Sequence, residues 1–137
     1  MITSQVTDQK ISLEDFAAIV SDESAGAIVL FSGNVRNHDH GKKVLNLIYE
    51  VHPSAPQVLE KIVKEIAADF DVTHIAAAHR FGDIPIGESA FIVAVSSHHR
   101  EAAFECARTL VDLVKKELPI WKHQKFEDGS DEWVNSA

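Results

Sequence analysis

"LVKKELPIWKHQKF", Leu113–Phe126, carries the chain from one element into the next. Upstream of it, Ala103, Ala107, Leu110 and Val114 recur at helical spacing. A long helix from about Ser97 to Glu117 is therefore expected to bury that stripe. Pro119 disfavours helical geometry at Leu118, so the helix ends there. Beyond it, "IWKHQKFED" and "DEWV" form candidate short strands. The same window concentrates charge, because four of the nine lysines (Lys115, Lys116, Lys122 and Lys125) fall inside it.

Working outward, "SLEDFAAIV" (Ser12–Val20) predicts a short helix, with Ser12 and Asp15 in capping-box spacing. "AGAIVLFSG" (Ala25–Gly33) is a continuous apolar run and predicts a buried strand. "NVRNHDHGKK" predicts a mobile loop, and "VLNLIYEV" (Val44–Val51) a strand. From Ser54, a stripe of Val58, Leu59, Ile62, Val63, Ile66 and Phe70 predicts a second long helix with Pro56 in its first turn. "THIAAAHRFG" and "AFIVAVSS" predict two strands separated by the turn-rich "GDIPIGES". The order is not strictly alternating, so the expected fold class is α+β, one domain spanning 1–137.

Thirteen Lys plus Arg against twenty-one Asp plus Glu leave a net charge of −8. That argues against a general nucleic-acid binder, and any anionic ligand must meet a local basic cluster. No run of about 18 apolar residues occurs, so no transmembrane helix is expected. The polar start and the single cysteine, Cys106, fit a cytoplasmic setting without an intramolecular disulfide.

Three clusters carry possible chemistry. Lys115 lies in the last helical turn and Lys122 beyond the break at Pro119, so the two can converge from different directions. Crowding or desolvation lowers a lysine's pKa and lets it exchange protons near neutrality. Lysines at a helix C-terminus also complement the dipole without any further role. The second cluster, "SSHHREAAF" (Ser96–Phe104), opens the long helix. Its free N–H groups, His99 and Arg100 suit an anion, although Ser97 acting as a simple cap is the plainer alternative. The third, "FSGNVRNHDHGKK", sets Arg36 on a loop after a strand. His38, Asp39 and His40, taken with His98 and His99, make only a weak metal pattern, so no metal is expected. Cys106 sits mid-helix on or near the apolar side, as a small core residue does.

Four motifs, "FSGNVRNHDHG", "HRFGDIPIGE", "SSHHREAAFECA" and "LVKKELPIWKHQ", in this order and at these spacings, closely resemble the large, catalytic subunit of molybdopterin synthase. The resemblance runs from about Gly26 to Trp133. It implies an α/β hammerhead-type fold with an added small antiparallel sheet. It implies a sulfurtransferase that forms a homodimer, each end binding a small ubiquitin-like sulfur-carrier subunit to give a heterotetramer. That subunit brings a C-terminal Gly-Gly thiocarboxylate. The implied substrate is cyclic pyranopterin monophosphate (precursor Z), which receives two sulfurs to become the dithiolene of molybdopterin, with no cofactor. By the same resemblance, Lys115 and Lys122 match the two catalytic lysines. Arg36, His99 and Arg100 match residues that bind the pterin phosphate, and Val35 and His123 neighbour matched positions as backbone contacts. The ending "NSA" is not Gly-Gly, so the chain is not itself the sulfur donor. A different class of reading, a non-catalytic module that binds a phosphate ligand or a ubiquitin-like tail, predicts lysine variants that lose binding rather than turnover.

Overall fold

The computed structural model describes residues 1–136; Ala137, the last residue of the expected domain, lies outside the described residues. In chain order the elements are β1 (Ile2–Thr7), α1 (Leu13–Val20), β2 (Ala27–Asn34), β3 (His38–Asp39), β4 (Lys42–Val51), α2 (Ala55–Asp69), β5 (His74–Arg80), β6 (Gly82–Ile84), β7 (Ser89–Ser97), α3 (Arg100–Glu117), β8 (Ile120–Phe126) and β9 (Asp131–Val134). They form a mixed four-stranded sheet, β1-β5-β7-β2, and a second, antiparallel sheet, β3-β4-β8-β9, with β6 also paired to β4. This is the expected α+β class with its added antiparallel sheet.

The central strands β5 and β7 read as unbroken apolar runs because both of their faces are covered. Ile75, Ala77, Val93 and Val95 face the core shared with α2 and α3. Their alternates Ala76, Ala78, Ile92 and Ala94 meet Ile11, Phe16 and Val20 under α1. Ser12 caps α1, its hydroxyl accepting from Asp15 N–H at 3.3 Å. The α2 stripe buries Leu59, Ile62, Val63 and Ile66, and α3 buries Ala103, Cys106, Ala107, Leu110 and Val114.

Four expectations change. The polar N-terminal stretch, given no element from sequence, forms β1, which pairs in parallel with β5 from Ile2↔Ile75 to Thr7↔Arg80. β2 is not a buried strand but lies at the sheet's end, pairing among the described residues with β7 alone, and Ile28 and Leu30 stay 44% and 40% exposed. The expected loop after β2 contains a small hairpin, in which His38 and Asp39 pair with Lys43 and Lys42. The turn is made by His40 and Gly41, with φ of 52° and 74°. Finally, α3 starts at Arg100 with His99 as its N-cap residue, while Ser97 is the buried end of β7 and its hydroxyl donates to the His99 carbonyl.

Candidate functional site

The break at Pro119 turns the chain straight from α3 into the second sheet. Leu118 N–H closes the helix on the Val114 carbonyl at 2.9 Å. The Pro119 carbonyl then accepts from His52 N–H at 3.1 Å, which fixes the corner. Lys115 therefore stands on the last turn of α3, and Lys122 on β8 opposite Tyr49 of β4 and Val134 of β9. Along β8, Ile120, Gln124 and Phe126 are buried, and the period-two alternation puts Lys122 on that same inward side.

The two lysines meet electrostatically. Partial burial of its ammonium lowers the Lys115 pKa, the Lys122 charge lowers it further, and Asp112 opposes both. Lys115, Lys116 and Lys125 are all exposed by surface area; Lys115 differs in the partial desolvation of its ammonium and the nearby Lys122 charge, while Lys116 and Lys125 are in keeping with ordinary solvated charges.

Arg36 reaches the same region from the β2–β3 connection. Its guanidinium is 3.3 Å from Asp39 Oδ1, and its side chain is 64% exposed. The other oxygen of Asp39 accepts from Gln124 Nε2 at 2.7 Å, and Gln124 lies two residues along β8 from Lys122. The Gln124 hydrogen bond holds the Asp39 carboxyl below the usual range against the effect of burial, with smaller help from His40, Arg36 and Lys122. Arg36, Asp39 and Lys122 thus share one field. Val35 is buried, with its N–H on the Glu88 carbonyl at 3.0 Å and its carbonyl accepting from Gly87 N–H at 2.8 Å. His123 turns to the other side of β8. Its ring stacks on Trp133 at 4.2 Å, and its Nε2 lies 2.8 Å from Asp131 Oδ2.

His99 and Arg100 lie elsewhere. They are exposed at the N-terminus of α3, beside a cavity of about 410 Å³ lined with Gly26, His98 and Glu101. Arg100 and Lys115 are fifteen residues apart on one continuous helix, about 22 Å at 1.5 Å per residue. One chain therefore carries two basic clusters, at opposite ends of α3, rather than one pocket. Between them, Val29, Leu30 and Phe31 of β2 and Phe104, Ala107, Arg108, Val111 and Asp112 of α3 line an apolar groove of about 300 Å³.

Asp39, His40 and Glu132 are the metal-capable cluster among the described residues. Both oxygens of Asp39 are already engaged by Arg36 and Gln124. Cys106 is buried and its thiol is pushed up to about 11 by desolvation, the state of an inert core residue. Sequence reasoning singles out neither Gln124 nor Asp112, and Asp39 only within the weak metal pattern. The Asp39–Gln124 contact spans 85 positions, and although each residue lies inside one of the quoted motifs, nothing in their spacing pairs the two.

A family model described as "MoaE protein" matches residues 6–117. The chain is 39% identical over 133 residues to molybdopterin synthase catalytic subunit 1 of Mycobacterium tuberculosis, covering 95% of this chain and 88% of that protein. It is 39% identical over 128 residues to the molybdopterin synthase catalytic subunit of Bos taurus, covering 93% and 68%. The crystal structure of molybdopterin synthase from Staphylococcus aureus is similar over 94% of each chain, with a TM-score of 0.86 and 31% identity.

Proposed function

The chain belongs to the MoaE protein family, and from that membership we propose that it is the catalytic subunit of a molybdopterin synthase. In this reading it is a cytoplasmic sulfurtransferase, folded as one domain over 1–137. It moves sulfur from the thiocarboxylated C-terminus of a small ubiquitin-like subunit onto cyclic pyranopterin monophosphate. The observation that carries the reading is the convergence of Lys115 and Lys122 across the Pro119 corner, with the Lys115 pKa lowered by burial and by its neighbour.

The chemistry requires two anions, a thiocarboxylate and a phosphate, to approach each other. Lys122 supplies positive charge where the donor carboxylate is released. Lys115, less basic than a free lysine, exchanges the protons that sulfur addition and donor release require. Arg36 grips the phosphate from the β2–β3 connection. Val35 and His123 contribute main-chain positions beside these groups.

His99 and Arg100 join the same site through a second copy. The apolar groove is centred on Ala107 and Arg108, midway between Arg100 and Lys115. If two α3 helices cross antiparallel on a two-fold axis there, the partner's Arg100 approaches Lys115. Phe104, 59% exposed, and the unpaired side of β2 are the apolar surfaces such a dimer covers.

The test is Lys115→Ala and Lys122→Ala, each assayed with the thiocarboxylated partner. Both are expected to lose molybdopterin formation while retaining their fold and their affinity for the pterin phosphate. Near-normal conversion by both overturns the lysine assignment, and lost binding in place of lost turnover favours a non-catalytic binding module.

A further inference from the structure

The motif "HRFGDIPIGE" (His79–Glu88) takes no chemical part in the reading above, yet its end is hydrogen-bonded to Val35, the residue before Arg36. At the end of β5, Arg80 Nη1 donates to Glu88 Oε1 at 2.8 Å, with side chains only 11% and 28% exposed. Between the two residues the chain turns at Gly82 and Gly87, both with φ of 89°. That conformation strains any residue with a Cβ. The ion pair closes this excursion at its base.

The closed turn holds Val35 from both sides. Glu88 carbonyl accepts Val35 N–H at 3.0 Å, and Gly87 N–H donates to the Val35 carbonyl at 2.8 Å. This grip is needed because the β2–β7 register breaks at Gly33/Asn34, just before Val35. Arg36 follows immediately. Its one ion pair among the described residues, with Asp39, is largely exposed on the Arg36 side, and exposed pairs hold a side chain weakly. The aim of Arg36 is therefore set by its backbone, and that backbone is set by the turn.

We infer that the Arg80–Glu88 ion pair is a positioning device for Arg36, holding the Val35–Arg36 backbone where the guanidinium meets the substrate phosphate. The inference rests on the proposed phosphate role of Arg36. A guanidinium displaced by about 1 Å loses its two-pronged grip on an anion, so the effect falls on substrate binding rather than on sulfur transfer.

The experiment uses the assembled synthase with thiocarboxylated partner. It measures KM and kcat for the pterin phosphate in Glu88→Gln, Arg36→Ala and the double variant. Glu88→Gln removes the charge with little change of shape. It is expected to raise KM roughly 10-fold with kcat held within about 2-fold. The double variant is expected to be no worse than Arg36→Ala alone, since the brace then has nothing to aim. Arg80→Lys keeps the charge but loses the forked donor, disturbs folding less, and is expected to give a smaller rise of the same kind. An unchanged KM in Glu88→Gln, or a Glu88→Gln effect that adds fully to Arg36→Ala, overturns the positioning role. If Arg36→Ala itself leaves KM unchanged, the phosphate assignment of Arg36 fails first and takes the inference with it.

Discussion

His79 is fully buried on β5, stacked on Phe91 at 5.3 Å and edge-on to Tyr49 at 4.9 Å. Its Nδ1–H donates to the Arg80 carbonyl at 2.8 Å, and its Nε2 has no hydrogen-bond partner among the described residues. Burial pushes its pKa from 6.5 down to about 4, Lys115 adds to the lowering, and the Arg80 carbonyl opposes it. The unfolded chain binds a proton below its ordinary pKa, and the folded chain resists until well below that. The neutral ring's contribution is therefore present above about pH 6.5 and is lost as pH falls toward 4. Between pH ~7.5 and pH ~4.5 the loss is about 2–3 kcal/mol. His79→Phe keeps the aromatic packing and removes the proton site. It also removes the Arg80 hydrogen bond, but that cost is the same at both pH values. Urea denaturation of both proteins at the two pH values isolates the proton effect. Wild type is expected to lose about 2–3 kcal/mol more than the variant on acidification. A wild-type-minus-variant difference that stays constant within about 0.5 kcal/mol would mean that His79 takes up a proton in the folded state as readily as in the unfolded chain.

Three further outcomes are expected. Phe104→Glu places a charge in the α3–β2 groove, so light scattering should report a monomer at micromolar concentrations where the proposed arrangement expects the parent to be a dimer; a persistent dimer rejects this face. A Cβ on Gly26 would lie 2.6 Å from the His98 carbonyl oxygen, so Gly26→Ala should lower stability by about 1–3 kcal/mol in chemical denaturation. Asp112 raises the Lys115 pKa against burial and Lys122. Asp112→Asn should therefore move the pH dependence of kcat governed by Lys115 toward lower pH, and a shift upward contradicts the assignment.

Much of the fold is legible because its signals are local. The α2 and α3 stripes, the Ser12 cap and the Pro119 stop are each contained within a few turns of chain, and each lies where the spacing puts it. β2 defeats the same logic. An apolar run implies coverage, and sequence does not distinguish a neighbouring strand from a second copy as the cover; here Ile28 and Leu30 remain open. β1 is short of apolar residues because it lies at the end of its sheet, and its parallel pairing with β5 spans the whole first half of the chain. The lysines are legible as a pair because a single turn joins them. Asp39–Gln124 and Arg80–Glu88 are not, since sequence gives no register between β3 and β8 and does not say how the excursion after β5 folds back.

The separation of the basic clusters also has a physical reason and a direct test. Charges about 4 Å apart at an effective dielectric near 20 repel by about 4 kcal/mol. At about 22 Å they lie beyond a screening length of about 8 Å. A chain with His99 and Arg100 at one end of α3, and Lys115 and Lys122 at the other, folds without concentrating that repulsion. In the proposed dimer, assembly would bring the clusters together where two anionic ligands offset it. If the site is shared in this way, inactive Lys115→Ala chains and inactive Arg100→Ala chains complement each other. In a mixed dimer one site receives both defects, while the other joins an intact Lys115 to the partner's intact Arg100. Random exchange of subunits makes about half the dimers mixed, so activity should recover to about a quarter of the parent value. A site built within one chain leaves every mixture as inactive as its components, and that result would refute the shared arrangement.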